Sequence, residues 1–577
     1  MSDETPTPEI PPAVAAAPAR SGGGALTVAA GILLSRILGV LRESTLAYYF
    51  GVGAHADAFT AALRVPNALQ NLLGEGALSA AFIPIYSRLL QEGKEEEAGR
   101  FAGAIFGLML ATASALALLG VLLAPALVFA LAPGYLRDAA RVAAGEMTID
   151  RFALSVHAVR ILFPMTGFMV LSVWALAVLN SHRRFFLPYF APVLWNASMI
   201  GSLVLVGRWL ERSQGATVTH LGTEALTRLF YAACWGGLLG GLLQFLVQLP
   251  GAFRVLRGFR FSFSTRVPGV RQALRAWGPV VAGRGVVQLA GYMDLFLATQ
   301  LAVGAQSADR YAQMPYILPI SLFGMSIAAS ELPELSRLQG EGAEGEGKIV
   351  SRVRRMLGTM AFLNVPTVIG YLVFGYLVIG FLYRSGKFTI GMNWLVYLVL
   401  CGYALGILAT TSSRLLQNTF YALGEAKVPA RIAMQRVLTS VVVALPLMFW
   451  LDRFPLSTVV RTHEALFLGT VGLSTASAVG AWSELIRLRG ALRRRLPNFD
   501  LPWKEDGKMV LCALAAAVPG ALVWWRLPAW PVHLTALIVL GVYALSYFAV
   551  AKLAGLEELD AWLGGFLMRL RLGRKRT

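Results

Sequence analysis

The chain has few charged residues, few cysteines and few histidines for its length. Charged residues occupy 14% of the 577 positions, whereas hydrophobic residues occupy 56%. A soluble globular protein of this size would need a larger polar surface. The 3 cysteines and 6 histidines are scattered without CxxC or ligand spacing, so we expect no disulfide, metal site or cofactor. The composition therefore predicts an integral membrane protein.

Long apolar runs recur along the whole chain. A transmembrane helix needs about 20 mostly apolar residues, and fourteen segments meet this requirement. They lie near residues 25–50, 57–86, 101–132, 153–180, 186–206, 229–252, 276–303, 310–334, 356–383, 393–423, 431–451, 466–486, 508–525 and 531–554. Proline and polar residues interrupt the second, eighth and tenth segments. The pattern predicts an all-α polytopic membrane protein with about fourteen transmembrane helices.

Basic residues are concentrated in the loops that follow even-numbered segments. Because Lys and Arg accumulate on the cytoplasmic side of short loops, this bias predicts that both termini are cytoplasmic. The formal charge of +19 lies beside helix ends and in the C-terminal tail. That placement favours anionic membrane lipids as partners and argues against nucleic-acid binding.

Two blocks of the sequence resemble each other, and each contains a VGA turn, two prolines and a Ser-Arg pair. The first block has GVGA at 51–54, Pro66, Pro84 and Ser87-Arg88, and the second has AVGA at 302–305, Pro315, Pro333 and Ser336-Arg337. Six predicted helices separate the copies, so the two halves should share one orientation and be related by an axis along the membrane normal.

This repeat predicts two pseudo-symmetric six-helix lobes with a cavity between them. We expect the first lobe at 25–252 and the second at 253–486, followed by two helices and a basic cytoplasmic tail at 487–577. Residues 1–24 are rich in Pro and Ala and lack the features of a secretory signal. We expect them to form a disordered cytoplasmic tail.

Ionisable residues cluster in the matching helices of the two halves. The first half contributes Arg36, Arg42, Glu43, Asp57, Arg64 and Glu75, and the second contributes Arg284, Asp294, Asp309 and Arg310. A guanidinium at mid-bilayer costs roughly 2.5 to 3.5 kcal/mol on insertion scales, so these helices should face a hydrated cavity. An arginine binds phosphate through two parallel hydrogen bonds, which favours a phosphate-bearing or carboxylate-bearing lipid as ligand.

Buried ion pairs that only fix the helices are the alternative interpretation of this clustering. The sequence offers Arg42 with Glu43 and Asp309 with Arg310 as such pairs. Neighbours in a helical sequence point about 100° apart. We therefore expect that members of these pairs do not fully neutralise each other.

Several motifs resemble those of the MurJ (MviN) lipid II flippases of the MOP transporter superfamily. They are SRILGVLRE at 35–43, Asp57-Ala58-Phe59, Pro66-Asn67, GEGALSAAFIP at 74–84, Ala308-Asp309-Arg310 and TFYALGEAKVP at 419–429. Members of this family have fourteen transmembrane helices. The resemblance implies movement of lipid II, an undecaprenyl-pyrophosphate-linked disaccharide pentapeptide, from the inner to the outer leaflet of the cytoplasmic membrane. It also implies alternating access of a central cavity.

The resemblance further implies that arginines of the first, second and eighth helices line that cavity. Three of these positions match as Arg36, Arg42 and Arg310, whereas Gln70 replaces the arginine of the second helix. Arg64 and Arg284 are the candidates for supplying the missing charge.

Acidic residues complete the set of candidate substrate-binding residues. Asp57 and Asp309 match acidic positions of the family, and Glu75 adds a carboxylate in the second segment.

Two other classes of function remain as alternatives. One is a MOP-type exporter of another polyprenyl-linked oligosaccharide or of a cationic drug, although an arginine-rich cavity repels cations. The other is a membrane enzyme, which would need catalytic groups clustered at a membrane face. His55, His157 and His182 show no such arrangement with carboxylates, so we expect a transporter without catalytic activity.

Overall fold

The computed structural model of the protein describes residues 22–73, 75–339, 342–462, 464–527 and 530–559. These residues form helices and connecting loops, with no β-strand among them. Almost all of the predicted N-terminal tail lies outside the described residues, as does the basic C-terminal tail from residue 560 onward.

The described residues of the first part of the chain form eleven α-helices, most of them long enough to hold an apolar segment. They are α1 (Gly22–Phe50), α2 (Ala54–Leu73), α3 (Glu75–Gln91), α4 (Glu95–Leu122), α5 (Ala124–Leu131), α6 (Asp138–Ala143), α7 (Arg151–Ser181), α8 (Phe186–Gln214), α9 (Thr223–Leu246), α10 (Leu249–Val255) and α11 (Val270–Ala298).

The helices of the second part of the chain follow α11, and the first two of them are joined by an irregular turn. They are α12 (Ala305–Pro319), α13 (Ser326–Gln339), α14 (Gly342–Tyr383), α15 (Ile390–Ala404), α16 (Ile407–Ala422), α17 (Lys427–Leu451), α18 (Gly469–Arg495), α19 (Trp503–Arg526) and α20 (Val532–Leu553). A π-helical turn at Ile320–Met325 joins α12 to α13.

Each of the fourteen predicted segments coincides with one helix or with two consecutive helices. Among the described residues, 10 helical stretches are long and apolar enough to cross a membrane. The other four segments correspond to α1, α2 with α3, α11 and α18, all of which carry ionisable residues within the helix. Of the three segments that proline and polar residues interrupt, the eighth contains the π-helical turn and the tenth is divided into α15 and α16. In the second, the residue between α2 and α3 lies outside the described residues. The prediction of an all-α polytopic membrane protein is confirmed.

The chain divides into two compact units. The first holds residues up to Tyr49 together with Ala54–Phe296, and the second holds Phe50–Gly53 together with the chain from Leu297 onward. In this division α11 belongs to the first unit, and α19 and α20 belong to the second, where they pack against α14.

Aromatic residues form the core of the first unit. Phe82 on α3, Phe101 on α4 and Trp174 on α7 are almost completely buried in one apolar cluster. Phe82 stacks on Phe101 with 5.3 Å between ring centroids. The Trp174 indole donates a hydrogen bond of 3.0 Å to the carbonyl of Ala102, so its polar atom is satisfied inside the core.

Glycines on α4 form a groove that holds residues 257–263, which follow α10. Gly99, Gly103 and Gly107 lie one above another at four-residue spacing. A Cβ atom on these glycines would lie 1.9, 2.1 and 2.2 Å from the carbonyl oxygens of Arg257, Arg260 and Ser262. Only a residue without a side chain allows the backbone of 257–263 to approach this closely.

The two copies of the repeat adopt the same local order of elements. The helices α2 and α12 begin at the alanine of the GVGA and AVGA motifs and contain Pro66 and Pro315. The next helices, α3 and α13, contain Pro84 and Pro333. In the second copy, α12 continues into α13 through the π-helical turn.

Candidate functional site

Arg42 lies at the centre of a polar cluster in the first unit. Its side chain is 14% exposed, and one guanidinium nitrogen, Nη1, donates a hydrogen bond of 3.0 Å to Oδ1 of Asn196 on α8. The guanidinium carbon also lies 4.5 Å from the ring centroid of Trp195. An aromatic face and an amide oxygen therefore fix the orientation of this cation.

Arg42 also forms an ion pair with its sequence neighbour. Its Nη2 donates to Oε1 of Glu43 at 2.6 Å, and the Glu43 side chain is 6% exposed. The expectation that helix neighbours would not compensate each other was wrong for this pair, because the long arginine side chain reaches around the helix. An anionic ligand would therefore compete with Glu43 for the guanidinium.

Three other candidates on α1 and α2 differ in exposure. Arg36 is exposed, whereas Arg64 and Gln70 are half-buried. Arg36 precedes Arg42 by six residues, which places the two side chains about 120° apart around α1. The side chains of Glu75 and Arg284 lie outside the part of the chain whose side chains the structure describes.

Asp57 belongs to a buried ionic cluster with two partners. Arg151, at the start of α7, donates to Oδ2 of Asp57 at 3.2 Å and to Asp138 at 2.5 and 3.1 Å. The guanidinium lies 4.3 Å from the ring centroid of Tyr135. Asp57 and Asp138 are 0% exposed and Arg151 is 3% exposed. This cluster connects α2, α6 and α7, so Asp57 has a structural contact here, and its contact with substrate stays a prediction.

Asp309 in the second unit is bound by two neutral donors. Its Oδ1 accepts a hydrogen bond of 2.6 Å from the Tyr403 hydroxyl, and its Oδ2 accepts one of 2.7 Å from Gln313. Tyr316 stacks on Tyr403 at 4.8 Å between centroids. Asp309 is buried on α12, and the next residue, Arg310, is half-buried.

The π-helical turn lies directly after the helix that holds Asp309 and Arg310. A Cβ atom on Gly324 within this turn would lie 2.7 Å from Cγ2 of Thr411 on α16. Such turns are rare and occur frequently at functional sites. The turn therefore separates α12, which carries Asp309 and Arg310, from α13.

Sequence reasoning did not find the partners of the candidate residues. Asn196 and Trp195 contact Arg42, and Arg151 contacts Asp57. An asparagine inside an apolar segment is a signal that could have marked Asn196. Arg151 stands just before the fourth predicted segment, where its charge resembled that of an ordinary loop residue. Among the described residues, no group of His, Cys, Asp and Glu is suited to a metal ion.

The helix arrangement defines an all-α polytopic membrane protein. A model of the family "Lipid II flippase MurJ" matches residues 46–543. The chain belongs to the lipid II flippase MurJ family.

Individual relatives support this assignment over most of the chain. The lipid II flippase MurJ of Burkholderia cenocepacia is 31% identical over 412 residues, which cover 71% of this chain and 74% of that protein. The probable lipid II flippase MurJ of Rhizobium tropici is 28% identical over 566 residues and covers 96% of both chains.

Solved structures share the fold. A structure of lipid II flippase MurJ in an inward closed conformation has a TM-score of 0.67 at 20% identity, covering 92% of this chain and 98% of that chain. An inward-facing multidrug resistance MATE family transporter of the MOP superfamily has a TM-score of 0.56 at 13% identity, covering 82% and 98%. Multidrug and lipid transporters thus share this architecture, so the fold alone does not identify the cargo.

Proposed function

We propose that this protein moves lipid II from the inner to the outer leaflet of the cytoplasmic membrane. The observation that carries the proposal is the match of the lipid II flippase family model to residues 46–543. Relatives named as lipid II flippases extend over nearly the whole chain. The substrate headgroup carries a pyrophosphate, which cannot cross hydrocarbon without a polar path. The protein is then a transporter and not a catalyst.

Arg42 is the residue that we assign to the pyrophosphate. Its guanidinium is already oriented by Asn196 and Trp195. Phosphate oxygens can accept the hydrogen bond that Arg42 now donates to the carboxylate of Glu43. A diphosphate also carries more negative charge than this carboxylate. Binding would therefore exchange Glu43 for phosphate without reorienting the arginine.

The remaining candidates supply charge and hydrogen bonds around this arginine. We assign cationic contacts to Arg36, Arg64, Arg284 and Arg310, and a neutral donor to Gln70. The carboxylates of Asp57 and Asp309 hold helices in place through Arg151 and Tyr403, and Glu75 is the third acidic candidate.

We further propose alternating access with both termini in the cytoplasm. The repeated order of elements at α2–α3 and α12–α13 supports two related lobes that move relative to each other. Basic loops at the ends of even-numbered segments support the orientation.

Genetic replacement tests this function. The chain is expressed in a bacterium whose resident lipid II flippase is depleted, and growth is recorded with the amount of lipid II accessible to a probe added outside. We expect the wild type to restore both. Arg42→Ala should abolish rescue, and Arg42→Lys should restore only part of it, because lysine keeps the charge but loses the bidentate geometry.

Arg212→Ala is the matched control, because Arg212 is an exposed arginine in the last turn of α8. It should rescue fully. Membrane fractions establish that every variant reaches the membrane. Full rescue by Arg42→Ala would contradict the role of Arg42, and failure of the wild type to expose lipid II would contradict the proposed function.

A further inference from the structure

A second candidate site lies in the first unit, in an apolar pocket between α3, α4, α7 and α11. Its walls include Phe82, Met109, Ala113, Val170 and Trp277, and almost all of the lining atoms are hydrocarbon. The pocket encloses about 60 Å³, several times the space that one water molecule needs. Apolar walls favour contact with hydrocarbon over contact with water. The chemistry of the walls therefore selects an apolar ligand.

The dimensions of the pocket suit one acyl chain. The lining residues of α4 run from Ile105 to Ala113, a rise of about 12 Å along the helix axis. One leaflet of the hydrocarbon core is about 15 Å thick. The lining residues of α3, α4 and α7 lie within predicted membrane-spanning segments, whereas Ala273 and Leu274 of α11 lie just before the segment at 276–303. The pocket therefore begins at the predicted boundary of the membrane.

Two arginines stand on the pocket helix α11, towards the end at which this helix begins. Arg271 and Arg275 are exposed, and Leu274 between them lines the pocket. Positions 271, 274 and 275 share one face of a helix. Neither arginine has an ion pair or a hydrogen bond within the described part of the chain. Their charge is therefore available to an anion at the mouth of an apolar site.

Trp277 adds a polar atom to the same site. Its indole nitrogen is buried and finds no acceptor among the residues that the structure describes. Leaving a buried donor unpaired costs about 1–3 kcal/mol. Tryptophan is enriched where membrane lipid meets the polar interface, and an ester or phosphate oxygen of a lipid would satisfy this N–H.

We propose that this pocket binds one acyl chain of an anionic phospholipid, with the phosphate on Arg271 and Arg275. The pocket differs from the Arg42 cluster, because neither α1 nor α8, the helices of that cluster, contributes to its walls. The bound lipid stabilises the packing of α11 against α3, α4 and α7. This inference does not depend on the cargo that the transporter carries.

Photo-crosslinking tests the site in the purified full-length protein. The probe is phosphatidylglycerol with a diazirine in one acyl chain, and mass spectrometry maps the labelled peptides. We expect labelling of residues 105–113 and 273–277. Unlabelled phosphatidylglycerol should compete with the probe, whereas phosphatidylcholine and undecaprenyl phosphate should compete weakly.

Substitutions separate the headgroup contact from the pocket. Because each basic residue near an anionic surface contributes about 1 kcal/mol, the double variant Arg271→Gln/Arg275→Gln should weaken phosphatidylglycerol competition about 25-fold. The control Arg208→Gln/Arg212→Gln removes two exposed arginines near the end of α8 and should change nothing. Filling the pocket with Ala113→Phe, or from another helix with Ala273→Leu, should abolish the labelling.

Three results would overturn the inference. Stronger competition by undecaprenyl phosphate would assign the pocket to a prenyl chain. If labelling is spread evenly over the lipid-facing helices and does not change in the variants, the probe contacts the protein only as surrounding annular lipid. Full labelling of both filled variants, with thermal unfolding like that of the wild type, would show that the chain binds elsewhere. If one of the two pocket-filling variants does not fold, the other pocket-filling variant and the double variant Arg271→Gln/Arg275→Gln decide the outcome.

Discussion

Arg151 donates to both carboxylate oxygens of Asp138, at 2.5 and 3.1 Å, and uses its remaining terminal nitrogen for Asp57. One guanidinium thus serves two fully buried carboxylates from different helices. Desolvation of three charges is costly, and bidentate geometry with the Tyr135 ring offsets part of that cost. Removing the shared cation should lower the stability of the fold far more than removing an exposed cation.

Arg151→Met should destabilise the protein by about 3–5 kcal/mol, because two buried carboxylates lose the cation that they share. Thermal unfolding in detergent micelles measures the effect as a large drop in the midpoint. Arg141→Met is the control, since the Arg141–Glu146 pair is 44% and 61% exposed and such pairs contribute about 0–1 kcal/mol. Equal midpoints for the two variants would show that the buried cluster does not stabilise the fold.

Tyr403→Phe should destabilise the second unit by about 1.5–3 kcal/mol, because hydrogen bonds to charged groups fall in that range. The variant removes the hydroxyl that donates to Asp309 at 2.6 Å and keeps the ring that stacks on Tyr316. Unfolding of the purified protein is compared with that of Tyr421→Phe, whose side chain is 45% exposed. An unchanged midpoint for Tyr403→Phe would mean that the Tyr403 hydroxyl does not stabilise the second unit.

Gly103→Ala should displace residues 257–263 from α4, because the new methyl group would lie 2.1 Å from the Arg260 carbonyl oxygen. Hydrogen exchange in this segment should become faster, and trypsin should cleave more readily after Arg260. Gly201→Ala on α8 is the control, since a Cβ there meets nothing within 4 Å. Unchanged exchange in Gly103→Ala would mean that the helix and the segment adjust without separating.

Asp500, in the loop between α18 and α19, should titrate below the usual range of aspartate. Arg489 donates to both of its oxygens, at 2.7 and 3.1 Å, and this hydrogen-bonded pair lowers the pKa of Asp500. Carboxyl carbon NMR measures the titration. Arg489→Gln should raise the pKa towards its ordinary value, whereas Arg487→Gln, which removes a donor to Thr439, should have little effect.

The same shift fixes how Asp500 contributes to stability at different pH values. A carboxyl group whose pKa is lower in the folded state stabilises that state above its ordinary pKa, and the contribution disappears as the pH falls through the lowered value. The midpoint difference between wild type and Asp500→Asn should therefore shrink on acidification. A constant difference across that range would contradict the pairing with Arg489.

The sequence predicted the membrane helices well, because a long apolar run has few alternatives to a helix in lipid. Proline and polar residues also marked the segment that holds the π-helical turn between α12 and α13 and the segment that is divided into α15 and α16. These features are local, so a single sequence reveals them.

The partners of the charged residues were not predictable in the same way. Arg42 and Asn196 are 154 positions apart, and Arg151 and Asp57 are 94 apart. Such contacts depend on which helices pack against each other, and the pattern of residues along one sequence does not reveal those neighbours. For Arg42 and Glu43 the sequence-based expectation missed a contact between neighbours. It rested only on the angle of about 100° between their directions on the helix and not on the length of the arginine side chain.

The π-helical turn at Ile320–Met325 has a consequence for the helix beyond it. Such a turn accommodates one more residue than an α-helical turn, so every later side chain is rotated by about 100° from the direction that an uninterrupted helix would give it. With this phase, Glu331 forms an ion pair with Arg352 on α14. A single-residue deletion inside the turn would swing Glu331 away from its partner while leaving Asp309 and Arg310 where they are, so the length of this one turn sets the angular relation between the two halves of the segment.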